Sequence, residues 1–243
     1  MQVRQRLWHS AARTDTGKVR ARNEDAFLDL PQQGLWVVAD GMGGHQSGDL
    51  ASRLIVESLA ELPADGDFDD RLEALRQCLH RLNRHLCLGL TLTSETPDLL
   101  VGSTVVALLA ESSRVVCVWV GDSRCYLLRG RQLFQLSRDH SLQQQLITER
   151  GLSAAEAANH PGAQALTRAI GASEDLQLDI LELESLPGDV FLLCSDGLYQ
   201  ELDHNELSAA LLRPSPLLAL QRLFDVALQG SARDNLSAVV INR

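Results

Sequence analysis

With 243 residues, 45% of them hydrophobic and 22% charged, the chain has the make-up of an ordinary globule with enough surface to bury a substantial core. The formal net charge of −10, from 22 basic against 32 acidic side chains, excludes the basic stripe that a nucleic-acid backbone requires. Nowhere do about eighteen apolar residues run together, and residues 1–14 carry arginines but no apolar leader core, so a cytoplasmic chain without a membrane anchor is expected.

In chain order, the first marked string is GKVRARNEDAF, where Arg20, Glu24 and Asp25 cluster ahead of a short strand over 26–30. An arginine fork pairs bidentately with phosphate or carboxylate, and two neighbouring acids could hold waters around a metal. A polar turn before a strand reads equally well. The apolar run 35–39 then ends at Asp40-Gly41. Helical spacing follows over 50–62, with Ala51, Leu54, Ile55, Leu59 and Leu62 on one stripe, and over 69–90, with Leu72, Leu75, Leu79, Leu82, Leu86 and Leu90 on another. The second helix also carries Arg71, Arg76, Arg81 and Arg84, read as a solvated face.

Beyond Pro97, strands are expected at 104–110, 115–120 and 125–128, joined by Glu111-Ser112-Ser113 and Gly121-Asp122-Ser123 and spaced as an antiparallel meander. A polar, helix-prone stretch over 141–162, broken at Gly151 and His160-Pro161-Gly162, reads as an inserted flap, the flap subdomain reaching to about 175. Strands over 176–183 and 190–194, a helix over 216–229 and a last strand over 236–242 complete the chain, which stops there and is read as one domain, 1–243. Strands grouped with strands and helices in pairs imply an α+β layered fold instead of alternating βαβ units. The cysteines, Cys78, Cys87, Cys117, Cys125 and Cys194, lie mostly inside apolar runs with no CxxC pair. They read as core residues, not zinc ligands or disulfide partners.

The aspartates carry the chemistry. Runs 35–39, 115–120 and 190–195 each end in an aspartate beside a glycine (Asp40, Asp122, Asp196), and run 236–241 is preceded by Asp234-Asn235. Unbroken β-branched runs read as strands buried on both faces, so four carboxylates arrive at strand ends where they can meet. Close together they repel by ~4 kcal/mol per pair at ~4 Å and an effective dielectric of ~20, a balance that two hard divalent cations reverse. All-oxygen ligands favour magnesium or manganese, and a glycine such as Gly41 lets its carbonyl approach the ion. Any single Asp-Gly pair is also an ordinary turn.

The strings RARNEDAF, VVADGMGGHQSG, GSTVVALL, VGDSRCYLL, LSRDHS, LTRAIG, LLCSDGL and DNLSAVVI occur in an order that resembles the bacterial branch of the metal-dependent protein phosphatases, the type 2C Ser/Thr phosphatases, over nearly the whole chain. The resemblance implies a four-layer αββα sandwich, two central antiparallel sheets flanked by helix pairs, with a cluster of two or three Mg²⁺ or Mn²⁺ ions in a cleft at one end. It makes Asp40 the bridging carboxylate and Gly41 a carbonyl ligand, with Asp196 and Asp234 on the other ion and Asp122 and Asp196 on a third, weaker one. Arg20 falls on the arginine that binds substrate phosphate, and Glu24 and Asp25 on the acids that organise metal waters, with Asn235 in the same supporting role. Where many eukaryotic members have a histidine after the Asp-Gly, this chain has Met42. His45, slightly later, is the candidate proton donor, although a histidine in a Gly-rich turn is also an ordinary surface residue.

The implied activity is hydrolysis of phosphoserine and phosphothreonine in proteins by a water held between two metals, opposing a bacterial Ser/Thr kinase and linked to type VI secretion. The two CxxxxxR spacings, Cys78 to Arg84 and Cys125 to Arg131, start in the expected helix 69–90 and the expected strand 125–128, not in a phosphate-cradling loop, so attack by water is preferred to a phosphoenzyme. Two alternatives belong to other classes. One is an inert phosphatase-like module that binds phosphoproteins, although such relatives usually lack metal-ligand acids that are all present here. The other is a two-metal nuclease, which the acidic balance disfavours.

Overall fold

A computed structural model describes residues 8–43, 48–91 and 101–243. Strands β1 (His9–Asp15), β2 (Asp25–Leu30) and β3 (Leu35–Met42) lead into two helices, α1 (Gly48–Ala60) and α2 (Phe68–Thr91). Five strands follow: β4 (Gly102–Ser103), β5 (Val105–Glu111), β6 (Arg114–Val120), β7 (Arg124–Arg129) and β8 (Gln132–Gln135). Next come α3 (Leu142–Arg150) and α4 (Ala154–Ala158), then β9 (Asp179–Glu184) and β10 (Val190–Cys194). The remainder is α5 (Asp196–Tyr199), α6 (His204–Leu211), α7 (Pro216–Ala227) and β11 (Leu236–Asn242).

The strands form two antiparallel sheets, one ordered β1-β11-β10-β7-β8 and the other β2-β3-β5-β6-β9, with β4 paired to β3. Alternation along each strand builds the layers. Trp36 and Val38 of β3, Cys117 of β6, Phe191 and Leu193 of β10 and Val239 and Ile241 of β11 meet between the sheets. Val37 and Ala39 face the opposite way, under Ala51, Ile55 and Leu59 of α1 and Leu75, Leu79 and Leu82 of α2. On the far side, Leu192, Ala238 and Val240 receive Leu207 and Leu211 of α6 and Leu220, Leu223 and Phe224 of α7. Each fully buried Leu or Phe contributes about 1.5–3 kcal/mol relative to exposure. The result is the α+β sandwich, helices on both outer faces of two sheets, that the motif order implied.

Several elements differ from expectation. The meander does not continue past β6: β7 pairs with β10 and β8 in the other sheet, so Gly121-Asp122-Ser123 is a crossing between sheets and not a hairpin turn. Gly121 makes the crossing possible at φ +104°, a conformation that side chains other than glycine's resist. Strand β3 runs through Asp40 and Gly41 to Met42 because Gly41 and Met42 pair with Ser103 and Gly102, so Asp40 lies within the ladder. The strand expected at 176–183 is β9, which among the described residues pairs only with β6. Strand β1, strand β8 and helices α5 and α6 were not legible. Arg71 departs from the solvated face of α2, because its guanidinium donates to the Gln33 carbonyl and faces Glu111. Cys78, Cys117, Cys125 and Cys194 are buried.

The 141–175 segment holds α3, capped by Ser141 accepting from Gln144 N–H, and α4, begun by a Ser153–Glu156 capping box. Its root is fastened by reciprocal backbone bonds between Ser103 and Ile170 (3.0 and 2.9 Å) and by Thr167 N–H to the His140 carbonyl (2.8 Å).

Candidate functional site

Antiparallel pairing places the end of β3 beside the starts of β2 and β5, the start of β5 beside the end of β6, and the end of β10 beside the starts of β7 and β11. The β6–β7 crossing joins the two groups, so these ends form one rim of the sandwich. There a cavity of about 260 Å³ is lined by Arg20, Glu24, Asp40, Gly41, Thr104, Asp122, Leu166, Asp196, Asp234 and Asn235, together with Met42 and Gly43. The four aspartates singled out from the sequence are thus in one place, with Arg20 and Glu24 among them. Asp25 stands next to Asp40 across the β2–β3 ladder. His45 lies outside the described residues.

The supports of each carboxylate are local. Ser103 Oγ donates to the Asp40 carbonyl (2.9 Å), and the Asp40 N–H donates to Thr104 Oγ1 (3.1 Å), which also pairs with Ser123 Oγ (2.7 Å) in the crossing. The Asp122 carbonyl accepts from the Tyr199 hydroxyl (3.1 Å). Asp196 opens α5, and one of its oxygens accepts from Gln200 Nε2 (2.9 Å). Arg20 Nη2 donates to Asp234 Oδ2 at 2.6 Å, an ion pair spanning the length of the chain. Asn235 is committed to backbone: its Oδ1 accepts from Glu24 N–H (2.8 Å) and its Nδ2 donates to the Thr16 and Arg22 carbonyls (both 2.9 Å). It shapes the loop that presents Arg20. Ser103, Thr104, Tyr199 and Ser195 had no signal in the sequence beyond being hydroxyls beside apolar runs.

Burial, with crowding behind it, raises the affinity for protons of Asp40, Asp122, Asp196, Glu24 and Asp25. Burial, followed by the charges of Asp25, Asp196, Asp122 and Asp234, pushes Asp40 well above the usual carboxylate range. Burial and then Asp196 raise Asp122 to about 7. Asp196 is raised by burial and Asp234, eased by a hydrogen bond with Asp40, while burial and Asp49 raise Glu24. Asp25 reaches about 7, chiefly through burial, although Ser195 Oγ donates to its Oδ2 (2.7 Å). A pocket of acids that resist ionising holds too little positive charge to balance them, even with Arg20 at its edge.

The donor set fits hard divalent ions. The negative and neutral donors lining the cavity are oxygens, from carboxylates, the Thr104 hydroxyl, the Asn235 amide and the backbone, with no thiolate or imidazole among the described lining residues. Asp25 Oδ1 is buried and has no hydrogen-bond partner among the described residues, the kind of lone acceptor that a metal-held water satisfies. A Cβ on Gly41 would fall 2.1 Å from the Gly48 carbonyl oxygen and 2.6 Å from that of Glu24, so only glycine brings the backbone this close. Among the described residues no three acidic, histidine or cysteine side chains already stand in finished ligating geometry. Asp234 is instead turned to Arg20.

A family model described as protein phosphatase 2C matches residues 16–237. The chain belongs to the protein phosphatase 2C family. The match takes in both Arg20 and Asn235, the outermost members of the cavity. Among solved structures the chain is similar to one described as PppA, a key regulatory component of T6SS in Pseudomonas aeruginosa, at 41% identity over 97% of each chain with a TM-score of 0.86. It is also similar to the catalytic domain of the serine/threonine protein phosphatase PstP in complex with two manganese ions, at 34% identity, 97% of this chain, 98% of that one and a TM-score of 0.86. Among curated proteins it is 36% identical to the serine/threonine protein phosphatase PstP of Mycobacterium tuberculosis over 95% of this chain and 44% of that protein. The chain therefore spans less than half the length of that relative. Among the described residues no helix is long and apolar enough to cross a membrane.

Proposed function

We propose that this protein phosphatase 2C member is a magnesium- or manganese-dependent phosphomonoester hydrolase that removes phosphate from phosphoserine and phosphothreonine in proteins. The observation carrying the reading is the meeting of Asp40, Asp122, Asp196 and Asp234 with Arg20 in one cavity. The manganese-containing PstP relative supports the choice of ion.

In this reading Asp40, the Gly41 carbonyl, Asp196 and Asp234 would hold a pair of ions, and Asp122 with Asp196 would hold a third, weaker one. When bound, the ions neutralise phosphate charge and acidify water so that it can attack phosphorus at neutral pH. Arg20 leaves Asp234 and turns its fork to the nonbridging phosphate oxygens, giving geometry as well as charge. Asp25 and Glu24 accept hydrogen bonds from water and orient it for in-line displacement. Thr104 and Ser103 hold the Asp40 peptide, so its carboxylate keeps its place as charge develops. His45 is the proposed donor of the proton that the leaving serine or threonine alkoxide takes up. Leu166, from the 141–175 flap, borders the cavity and gives that segment access to the bound protein substrate.

We place the protein in the cytoplasm as a single catalytic domain in a signalling pathway opposing a Ser/Thr kinase. The similarity to PppA supports a connection with type VI secretion. The deciding experiment is turnover of phosphoserine and phosphothreonine peptides with manganese, with magnesium and with chelator. Metal-dependent phosphate release is expected; no release with any divalent ion would favour the inert binding module.

A further inference from the structure

Asp122 is held through its neighbour. Gly121 and Asp122 cross from β6 to β7, and both backbone groups of Gly121 are taken by one residue: its N–H donates to His140 Nδ1 (3.1 Å) and its carbonyl accepts from the His140 N–H (2.9 Å). The crossing is pinned further by Tyr199 on the Asp122 carbonyl and Thr104 on Ser123. His140 alone among the three belongs to the segment that leads into α3, and its own carbonyl accepts from Thr167 at the flap's return.

The ring is kept in one orientation. It is 7% exposed, stacks on Trp119 at 6.4 Å between centroids and 19° between planes, and has Nε2 3.4 Å from Asp179 Oδ2. Trp119 is fixed in turn by Nε1 donating to the Arg138 carbonyl (2.9 Å). Since Nδ1 accepts, it carries no proton; the ring proton sits on Nε2 and faces Asp179, with Arg168 Nη1 3.5 Å from the same nitrogen. Burial and the nearby Arg168 lower the ring's proton affinity, against the pull of Asp179 and Asp139. Without an acceptor at the Nδ1 position the buried Gly121 N–H is unpaired, and Asp122 is the next residue along a turn that only glycine's freedom at φ +104° permits.

We propose that His140 is a positioning residue for the metal centre: through Nδ1 it fixes the Gly121-Asp122 crossing, and so sets the Asp122 carboxylate and ties it to the root of the flap. The inference rests on the reading of Asp122 as a ligand of the weaker ion. It assigns His140 no contact with substrate and no proton transfer. The requirement is an acceptor at one place, which asparagine can supply from the Nδ1 position and glutamine, one carbon longer, cannot.

The test compares His140→Asn, His140→Gln and His140→Ala with wild type by calorimetric titration of Mn²⁺ into chelator-stripped protein, alongside the manganese dependence of aryl phosphate hydrolysis. His140→Ala and His140→Gln should weaken the weakest Mn²⁺ site by about tenfold or more, the scale seen for partners that orient metal ligands, while His140→Asn restores most of the loss. Equal loss in the asparagine and glutamine variants, or no loss in any, overturns the proposal. Histidine ring ¹⁵N shifts of the wild-type protein give a reading independent of how the variants fold. An Nε2–H tautomer with Nδ1 as acceptor is expected, and an Nδ1–H tautomer overturns the proposal. A wild-type protein that binds no Mn²⁺ would instead remove the metal-centre reading, whatever the tautomer.

Discussion

Asp25 and Asp40 are direct partners across the antiparallel β2–β3 ladder. Like charges facing each other destabilise a strand pair, and here one of them is buried with an unpaired oxygen. A sheet selected for stability alone would not keep such a pair; a site that recruits positive charge would. Replacing Asp40 or Asp196 by asparagine keeps the shape and removes a charge. Each variant should fold, melt no lower than wild type in chelator, and lose about 10²- to 10³-fold of manganese-dependent turnover, the scale of losing one electrostatic stabiliser. Melting curves and aryl phosphate kinetics check both parts, and near-normal rates would contradict the assignment.

Arg20 is half exposed and paired with Asp234, so in the resting protein it is held by the site it is proposed to serve. Arg20→Ala should chiefly raise KM, by roughly ten- to a hundredfold for about 1.5–3 kcal/mol of charge-assisted bonding. Arg20→Lys should recover only part, lacking the fork. Steady-state kinetics on a phosphothreonine peptide distinguish these, and unchanged KM and kcat would take Arg20 out of the site.

The metal-free protein should be stabler in acid. Asp25 and Asp122 rise from 3.8 to about 7 on folding, so the folded state holds their protons more tightly than the unfolded chain. Their contribution is fully present below the unfolded value and is lost as pH rises through the folded one, between about pH 4 and about pH 7. In chelator the melting temperature should therefore fall from about pH 5 to about pH 8, and saturating manganese should abolish the fall by replacing the protons. A flat profile in chelator would mean that burial and the neighbouring charges do not hold protons on these acids.

Gly121→Ala tests the crossing without touching a carboxylate. The new Cβ would lie 2.6 Å from both Cβ and Cγ2 of Thr104, at φ +104°. A loss of about 1–3 kcal/mol in denaturant unfolding is expected from the strained conformation. An unperturbed midpoint would show that the turn relaxes freely.

What the sequence made legible follows from burial. Strands β3, β5, β6, β10 and β11 are covered on both faces and therefore appear as unbroken apolar runs. Strand β1, HSAARTD, has no such run; it is a strand because seven of its residues pair with β11. Helix α6 is short, although its Asp203–Glu206 capping box is a local signal that could have been read. The move of β7 into the second sheet depends on what β10 offers it, which no local pattern records. The same holds at the site. The aspartates announce themselves at strand ends, but the Arg20–Asp234 pair and the His140 clamp on Gly121 join residues whose spacing carries no period.

The most direct measurement is diffraction from crystals soaked in manganese, with anomalous scattering collected at the metal's absorption edge. The account predicts at least two peaks inside the cavity, one within reach of Asp40 and the Gly41 carbonyl and one within reach of Asp40, Asp196 and Asp234, with Arg20 swung away from Asp234. Carboxylates left as they stand, with no anomalous density between them at saturating manganese, would contradict it.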